Sequence, residues 1–210
     1  MWVLKLGGSL AHSPALPHWL EVLSEHGGGQ VILVPGGGPF ADGVRRLQRQ
    51  WGFEDSVAHH MALLAMEQYG LMLAGIEPRL IPARNKDRLL TLLHAGHVPV
   101  WLPAGMAGTR EDIPATWETS SDSLAAWLTL ELQANCLILV KAIAPKSSKV
   151  WVDELCARGI VDAGFSNYLV RGRYRAWWLG SADYPRIAQI LKGNELPGAE
   201  ILAAPVRKIN

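Results

Sequence analysis

Short apolar runs alternate along this chain with longer amphipathic segments, and this alternation constrains the fold more than any other feature. Most runs are apolar on both faces of the predicted strand, which is typical of a sheet with helices on both sides. We predict strands at 2–6, 30–34, 79–82, 98–102, 136–141 and 175–179, and helices at 17–26, 39–50, 54–75, 86–95, 122–134, 153–158 and 183–192. Segment 105–116 contains glycine and proline and predicts a loop or hairpin. The pattern indicates an α/β protein with a largely parallel sheet.

The length and composition of the chain favour one compact domain that spans residues 1–210. The chain has 210 residues, of which 49% are hydrophobic and 19% are charged. These values exclude a disordered protein and provide for a substantial core. The formal net charge is only +1. Nothing in the charge therefore indicates nucleic acid or an anionic membrane surface as a partner.

The cysteine count and the absence of long apolar stretches exclude further classes of protein. Cys136 and Cys156 are the only cysteines, which excludes a disulfide scaffold and a four-cysteine zinc site. The apolar start at 2–6 is interrupted by Lys5 and is too short for the core of a signal peptide. No stretch approaches the ~18 apolar residues that cross a bilayer. We therefore expect a soluble protein of the cytoplasm.

Two of the predicted strands end in glycine clusters that lead into helices. Residues 7–9 read Gly-Gly-Ser after the first strand, and residues 36–38 are three glycines after the second. Glycine allows the backbone to approach a ligand closely, and successive N–H groups in such a turn bind anions. Ligands of open α/β sheets bind at the carboxyl ends of strands. The two clusters therefore predict that two anionic groups are bound near each other.

Lys5 lies inside the first predicted strand, two residues before its glycines. Its ammonium could reach an anion at the edge of the sheet, or its stem could pack while its head extends into water. Because strand interiors are depleted in lysine, we favour a function. A lysine here would neutralise the charge that develops between the transferred and bridging oxygens of a phosphoryl group.

Other phosphate-binding motifs fit the chain less well. No G-x-x-x-x-G-K-[ST] sequence occurs, which excludes a P-loop hydrolase. Residues 36–41 match the G-x-G-x-x-A pattern of dinucleotide-binding proteins, so a dinucleotide oxidoreductase is one alternative. Pro39 inside this pattern, and the lack of an acidic residue at the end of a following strand, weaken it.

An acidic residue and three lysines later in the chain could complete a phosphate site. Asp122 begins a predicted helix, and it could be an N-terminal acid of that helix or form an ion pair that orients Lys5. The spacing alone favours neither. Lys141 ends a predicted strand, and Lys146 and Lys149 follow it. We expect a phosphate-binding role for at least one of the three, although lysines more often lie in solvated surface loops.

Three motifs, in order, resemble the amino acid kinase superfamily, which includes acetylglutamate, aspartate, uridylate and isopentenyl phosphate kinases. They are Lys-Leu-Gly-Gly-Ser at 5–9, Pro-Gly-Gly-Gly-Pro-Phe-Ala at 35–41 and Thr-Ser-Ser-Asp-Ser-Leu at 119–124. The resemblance implies a three-layer αβα sandwich with a mainly parallel central sheet. It also implies transfer of the γ-phosphoryl group of Mg²⁺-ATP to a carboxylate or phosphate of a small molecule, by a homodimer or larger assembly.

The resemblance assigns roles to individual residues. The acceptor would bind mainly to residues 30–105 and the nucleotide mainly to residues 117–210. No residue is assigned as a metal ligand, because Mg²⁺ usually keeps phosphate and water ligands. The assigned residues are Lys5 and Asp122 for catalysis, Gly7, Gly8, Ser9, Lys141 and Lys146 for the nucleotide phosphates, and Gly36, Gly37 and Gly38 for the acceptor.

Within the superfamily, the chain is most similar to the small aminomethyl-furanmethanol-phosphate kinases of methanofuran biosynthesis. The similar runs lie at 56–59, 117–123, 161–165 and 185–191. The similarity implies an acceptor phosphate of that kind, with a carboxylate acceptor as an alternative. Residues 142–145 read Ala-Ile-Ala-Pro, where family members usually have D-V-D-G or K-V-D-G. This departure leaves open a degenerate kinase that binds a nucleotide or oxyanion without catalysis.

Overall fold

A computed structural model describes residues 1–203, and within them eight strands form one sheet. The strand order is β3-β4-β2-β1-β5-β7-β8-β6. The pairs are parallel apart from β7 and β8, which are antiparallel. The strands are β1 (Trp2–Leu6), β2 (Val31–Pro35), β3 (Leu80–Ala83), β4 (Val98–Trp101), β5 (Cys136–Lys141), β6 (Lys149–Trp151), β7 (Arg175–Gly180) and β8 (Ala199–Leu202).

Helices cover both faces of the sheet, so that the architecture is the three-layer αβα sandwich expected. One face packs against α4, α6 and α8, and the other against α1 and α9, whereas α3 contributes to both cores. The helices are α1 (Leu16–His26), α2 (Gly38–Trp51), α3 (Asp55–Ile76), α4 (Lys86–His94), α5 (Ala104–Ala107), α6 (Ser121–Glu131), α7 (Val152–Ala157), α8 (Phe165–Arg171) and α9 (Ile187–Leu191). Two 3-10 segments cover Gly8–His12 and Ser181–Arg186.

Alternation along the central strands decides which side chains face which core. Val3 of β1 and Leu139 of β5 lie in the core that contains α6, whereas Leu4 and Ile138 lie in the opposite core. Successive side chains of a strand point to opposite faces, so the residues two positions after Val3 and Leu139 also face α6. These residues are Lys5 and Lys141.

The six predicted strands are present, but two strands and two helices were missed. β6 and β8 are only three and four residues long, too short for a periodic pattern. The helix α8 was also missed, and so was α5, which begins one residue before the predicted loop 105–116 and overlaps its start. The prediction of one helix at 183–192 is wrong, because a 3-10 segment that contains Pro185 precedes α9. Proline lacks the N–H group that an α-helix interior needs.

None of the helices in residues 1–203 is both long and apolar enough to span a membrane.

Candidate active site

The two glycine loops pack against each other at the carboxyl edge of the sheet. β1 and β2 are parallel neighbours, so the chain leaves both strands at the same edge. The Gly36 N–H group donates a hydrogen bond to Leu6 O at 2.9 Å. A Cβ atom on Gly8 would lie 2.4 Å from Gly38 N, and one on Gly36 would lie 2.3 Å from Gly8 N. Only glycine therefore allows the two backbones to lie side by side.

Asp122 lies between two lysine ammonium groups. Its Oδ1 is 2.9 Å from Lys5 Nζ, and its Oδ2 is 2.5 Å from Lys141 Nζ. Both lysines lie on the face of the sheet that α6 covers, and Asp122 is in the first turn of α6. Lys5 is 3% exposed and Asp122 is 4% exposed, so water and salt screen their ion pair only weakly.

The two lysines and the carboxylate shift each other's pKa values. Burial acts to raise the pKa of Asp122, but the charges of Lys141 and Lys5 outweigh it and hold that pKa at about 2. Burial lowers the pKa of Lys141 to about 8, against the opposing effect of Asp122. At neutral pH, Asp122 is therefore ionised, and Lys141 is charged but close to its titration range.

Asp162 holds the beginning of α6 and was not among the predicted site residues. It accepts hydrogen bonds from Ser120 N at 3.0 Å, from Ser120 Oγ at 2.6 Å, from Ser123 N at 3.1 Å and from Ser123 Oγ. These donors flank Asp122, so Asp162 fixes the turn that presents Asp122 to the lysines. Burial and the charge of Asp122 raise the pKa of Asp162, and the hydrogen bonds oppose this shift. The only sequence signal for it was the run at 161–165, which carries no periodicity.

A cavity of about 260 Å³ lies between the glycine loops, α2 and α3. Its walls combine backbone of the glycine loops with apolar side chains of α3 and polar side chains of α2 and of the segment before α6. We call it the small cavity. Its lining residues are Gly8, Ser9, Gly37, Gly38, Ala41, Asp42, Arg45, Asp55, His59, Ala62, Leu63, Met66, Thr116, Trp117, Thr119, Ser120, Ser121 and Leu124.

A second cavity of about 850 Å³ lies on the other side of the same junction, and we call it the large cavity. Both cavities are lined by Ser9, Arg45, Trp117, Ser120 and Ser121. The remaining lining residues of the large cavity are Lys5, Glu118, Asp122, Lys141, Ala142, Ile143, Cys156, Arg158, Gly159, Ile160, Val161, Asp162 and Ala163. The two cavities therefore meet where Ser9 follows the first glycine loop.

The structure brings most of the predicted site residues together at this junction. Lys5, Ser9, Asp122 and Lys141 line the large cavity, and Gly8, Ser9, Gly37 and Gly38 line the small one. Gly7 and Gly36 line neither cavity, because they pack against backbone: Gly7 N donates to Val140 O at 3.0 Å. Lys146 and Lys149 are exposed and line neither cavity. Residues of segment 116–124 line both cavities.

Several polar side chains of the small cavity were not predicted as site residues. The Arg45 guanidinium lies 4.3 Å from the ring centre of Trp117, whose Nε1 donates to Gln48 Oε1 at 2.6 Å. Gln48 Nε2 in turn donates to Asp55 Oδ1 at 2.8 Å. Burial, and to a smaller extent the neighbouring His60, lower the pKa of His59. Little in the sequence indicated that these polar side chains line a cavity, because single polar residues on helices usually face solvent.

Two carboxylates of the junction, those of Asp122 and Asp162, are already engaged by the protein. Asp122 pairs with two lysines, and Asp162 accepts from two serines. Within residues 1–203, no group of three or more histidine, cysteine or acidic side chains could hold a metal ion. Asp122 and Asp162 are therefore not free to bind a metal ion, and magnesium usually keeps phosphate and water as its ligands.

Comparison with known proteins identifies a sequence relative over nearly the whole chain. It is the [5-(aminomethyl)furan-3-yl]methyl phosphate kinase of Methanocaldococcus jannaschii, which is 25% identical over 206 residues. The match covers 92% of this chain and 94% of that protein. The relative's name joins a kinase activity to an acceptor that already carries a phosphate.

Solved structures with the same fold are also kinases. The uridylate kinase of Archaeoglobus fulgidus superposes with a TM-score of 0.70 and 17% identity, over 96% of this chain and 100% of that chain. The UMP kinase of Bacillus anthracis superposes with a TM-score of 0.71 and 19% identity, over 97% of this chain and 96% of that chain. The isopentenyl phosphate kinase of T. acidophilum superposes with a TM-score of 0.60 and 18% identity, over 96% of this chain and 100% of that chain. At these identities the likeness shows the fold.

The sequence model of the amino acid kinase family matches residues 1–144. This range includes both glycine loops, Lys5, Asp122 and Lys141, which are the groups that meet at the junction of the two cavities. The chain therefore belongs to the amino acid kinase family and is a phosphotransferase that uses ATP.

Proposed function

We propose that this kinase transfers the γ-phosphoryl group of ATP to the phosphate of a small acceptor of the aminomethyl-furanmethanol phosphate class. One observation carries the proposal: two cavities of different size meet at Ser9, beside Lys5 and Asp122. The large cavity has room for a nucleotide, and the small cavity for a compact acceptor. The acceptor class is supported by the M. jannaschii relative, whose name specifies such a compound.

The large cavity would bind the nucleotide. Its floor carries the ammonium groups of Lys5 and Lys141 at the carboxyl ends of β1 and β5. The backbone N–H groups of Gly8 and Ser9 begin a 3-10 segment and have no partner within it. Ser9 lines both cavities and Gly8 lines the small one, so these groups can bind phosphate oxygens where the two cavities meet. Lys146, which resemblance also assigned to the phosphates, would have to move to reach them, because it is exposed outside both cavities.

The small cavity would bind the acceptor with its phosphate toward the glycine loops. Gly37 and Gly38 precede the first intrahelical bond of α2, in which Ala41 N donates to Gly37 O at 3.1 Å. Their N–H groups therefore have no partner within the helix and lie at its positive end. Leu63 and Leu124 supply apolar walls for a ring or short chain.

Lys5 would act on the transferred group itself. An oxygen of the acceptor phosphate attacks the γ-phosphorus, a new P–O–P linkage forms, and the bond to the β-phosphate oxygen breaks to release ADP. Lys5 would neutralise the negative charge on the oxygens between donor and acceptor, and Asp122 would keep its ammonium in place. Magnesium would be bound with ATP and supply further charge neutralisation at the phosphates.

We also propose that the kinase is a homodimer or a larger homo-oligomer. Val57, Leu64 and Leu71 of α3 are 48%, 41% and 46% exposed. Each lies seven positions after the one before it, so they lie on one side of the helix and form an apolar stripe. A second copy of the chain would cover this stripe.

The proposal is tested by ADP release with a panel of acceptors. The panel contains [5-(aminomethyl)furan-3-yl]methyl phosphate, UMP, isopentenyl phosphate and a carboxylate acceptor, N-acetylglutamate, with ³¹P NMR of the products. We expect the furan phosphate to give the highest kcat/KM and a product with two coupled phosphorus signals. A higher kcat/KM for another acceptor would show that the acceptor class is wrong. ATP binding without acceptor-dependent ADP would point to the degenerate kinase instead.

A further inference from the structure

We infer that Asp55 binds the positively charged amine of the acceptor and thereby selects aminophosphates over simple phosphates. This inference rests on the proposed function, since it concerns the small cavity as the acceptor site. Asp55 is the first residue of α3 and lines that cavity.

The small cavity runs along the groove between α2 and α3, which are antiparallel. The start of α2 packs on the middle of α3, where Gly38 faces Tyr69, and the end of α2 reaches the start of α3, where Gln48 bonds to Asp55. Asp55 is therefore at the end of the cavity away from the glycine loops. From Leu63 to Asp55 the helix rises ~12 Å, at about 1.5 Å per residue.

The charges around the cavity leave one carboxylate without a cation. Asp42 lies 3.3 Å from Arg45 and forms an ion pair with it. Asp55 is exposed and has no ion pair with any residue in 1–203, although it lines the same cavity. His59, one turn along α3, has a lowered pKa and is neutral at pH 7, so it does not balance Asp55. An acceptor that was only an anion would meet an uncompensated negative charge here.

A chain of hydrogen bonds orients Asp55 and leaves one of its oxygens available. Trp117 Nε1 donates to Gln48 Oε1 at 2.6 Å, and Gln48 Nε2 donates to Asp55 Oδ1 at 2.8 Å. Oδ2 has no hydrogen-bond partner among the contacts of residues 1–203. A carboxylate held in this way is pre-organised for a cation, because little side-chain freedom is lost on binding.

The arrangement specifies the shape of the acceptor. Its phosphate lies at the glycine loops and its ammonium at Asp55, so the two groups must lie on opposite sides of a short spacer. Leu63 and Leu124 line the space between and favour an apolar spacer such as a small ring. A primary amine fits better than a neutral hydroxyl, because a hydrogen bond between two charged groups is stronger than one between neutral groups.

The experiment compares two acceptors that differ only in the amine. One is [5-(aminomethyl)furan-3-yl]methyl phosphate and the other is its 5-methyl analogue. We expect Asp55→Asn to lower kcat/KM about three- to fivefold for the amine compound, the upper part of the range for an ion pair at an exposed carboxylate. For the methyl analogue we expect kcat/KM to change less than twofold. Asn can still accept the bond from Gln48, so the local geometry is kept.

Asp87→Asn is the matched control, since Asp87 is an exposed acid in the first turn of α4 and lines neither cavity. It should leave kcat/KM unchanged for both compounds. If Asp55→Asn lowered kcat/KM equally for both acceptors, or for neither, the role of Asp55 would be wrong and the kinase proposal would stand. If the wild-type protein phosphorylated neither compound but did phosphorylate another acceptor, the proposed acceptor class itself would be wrong.

Discussion

The carboxylate of Asp122 lies 2.9 Å from the ammonium of Lys5, and both groups are almost completely buried. The two residues come from different layers of the fold, the first turn of α6 and the penultimate position of β1. A buried charge is costly unless it is paired, so their contact constrains how α6 packs on the sheet. It also places one cation at the point where the two cavities meet.

Removal of the Lys5 ammonium tests its part in catalysis. We expect Lys5→Ala to lower kcat at least a hundredfold, about the effect of losing one preorganised group that stabilises transition-state charge. The fold should remain, because Asp122 still pairs with Lys141. Steady-state kinetics and circular dichroism check both points. Lys192→Ala, at an exposed position after α9, is the control, and near-normal turnover in Lys5→Ala would exclude the catalytic role.

The pKa of Lys141 predicts a loss of activity in mild base. Its pKa is lowered to about 8, so the ammonium is charged below this pH and loses its proton above it. We expect kcat/KM to fall as the pH rises above about 8, and kcat to fall at a higher pH because bound phosphates favour the charged form. Lys141→Arg should move the falling limb upward, since a guanidinium stays charged.

Loss of the Lys141 proton should raise the stability of the folded protein, although it lowers the rate. The folded-state pKa of Lys141 lies below its ordinary value, so burying the charge costs stability below pH 8, and this cost disappears as the pH rises further. Rate profiles and urea unfolding at a series of pH values measure the two effects. A rate that stayed constant to pH 10 in the wild-type protein would contradict the assignment.

Asp162 is predicted to act as a positioning residue. Asp162→Asn replaces one acceptor oxygen with a donor that faces the hydroxyl and N–H donors of Ser120 and Ser123. We expect a loss of about 1–3 kcal/mol of stability from the unsatisfied groups, and a fall in kcat larger than the change in KM for ATP. Kinetics well below the melting temperature separate the two effects. Asp153→Asn, an exposed acid on the neighbouring α7, should change neither quantity.

The contact between the glycine loops predicts a strong effect at one position and a mild one nearby. A Cβ on Gly36 would lie 2.3 Å from Gly8 N, so Gly36→Ala must displace a loop. We expect it to destabilise the protein by about 1–3 kcal/mol and to weaken turnover. In Gly43→Ala, the nearest atom to the new Cβ is Arg46 Nη2 at 3.9 Å, and helix propensity should stabilise the protein by about 0.5–1 kcal/mol. Equal melting temperatures of the two variants would refute the close packing.

The apolar stripe on α3 predicts how the chain assembles. Leu64 lies at the middle of the stripe and is 41% exposed. We expect Leu64→Glu to convert an oligomer into monomers, because a charge would be buried at the contact. Light scattering after size-exclusion chromatography measures the mass. Lys86→Glu, on the exposed start of α4, should leave the mass unchanged, and a monomeric wild-type protein would refute the assembly.

Local sequence was sufficient for the central strands and for the glycine loops. The runs that became β1, β2 and β5 are apolar apart from Lys5 and Lys141, and such short apolar runs favour a buried strand. Local sequence was insufficient for β6 and β8, which are short. β8 forms because β7 offers it a backbone partner, and β6 forms because β8 offers it one. Strand pairing of this kind depends on contacts between distant parts of the chain, which a local pattern does not contain.

The sequence by itself determined that two glycine loops follow the first two strands of the chain and that Lys5 precedes the first of them. Only the tertiary structure decided that Asp122 pairs with Lys5 and Lys141 and that Asp162 holds α6 in place. It also brought Asp55 to the small cavity. The physical reason is that backbone conformation depends on neighbouring residues, whereas the partner of a charge is set by which faces of distant helices and strands come together.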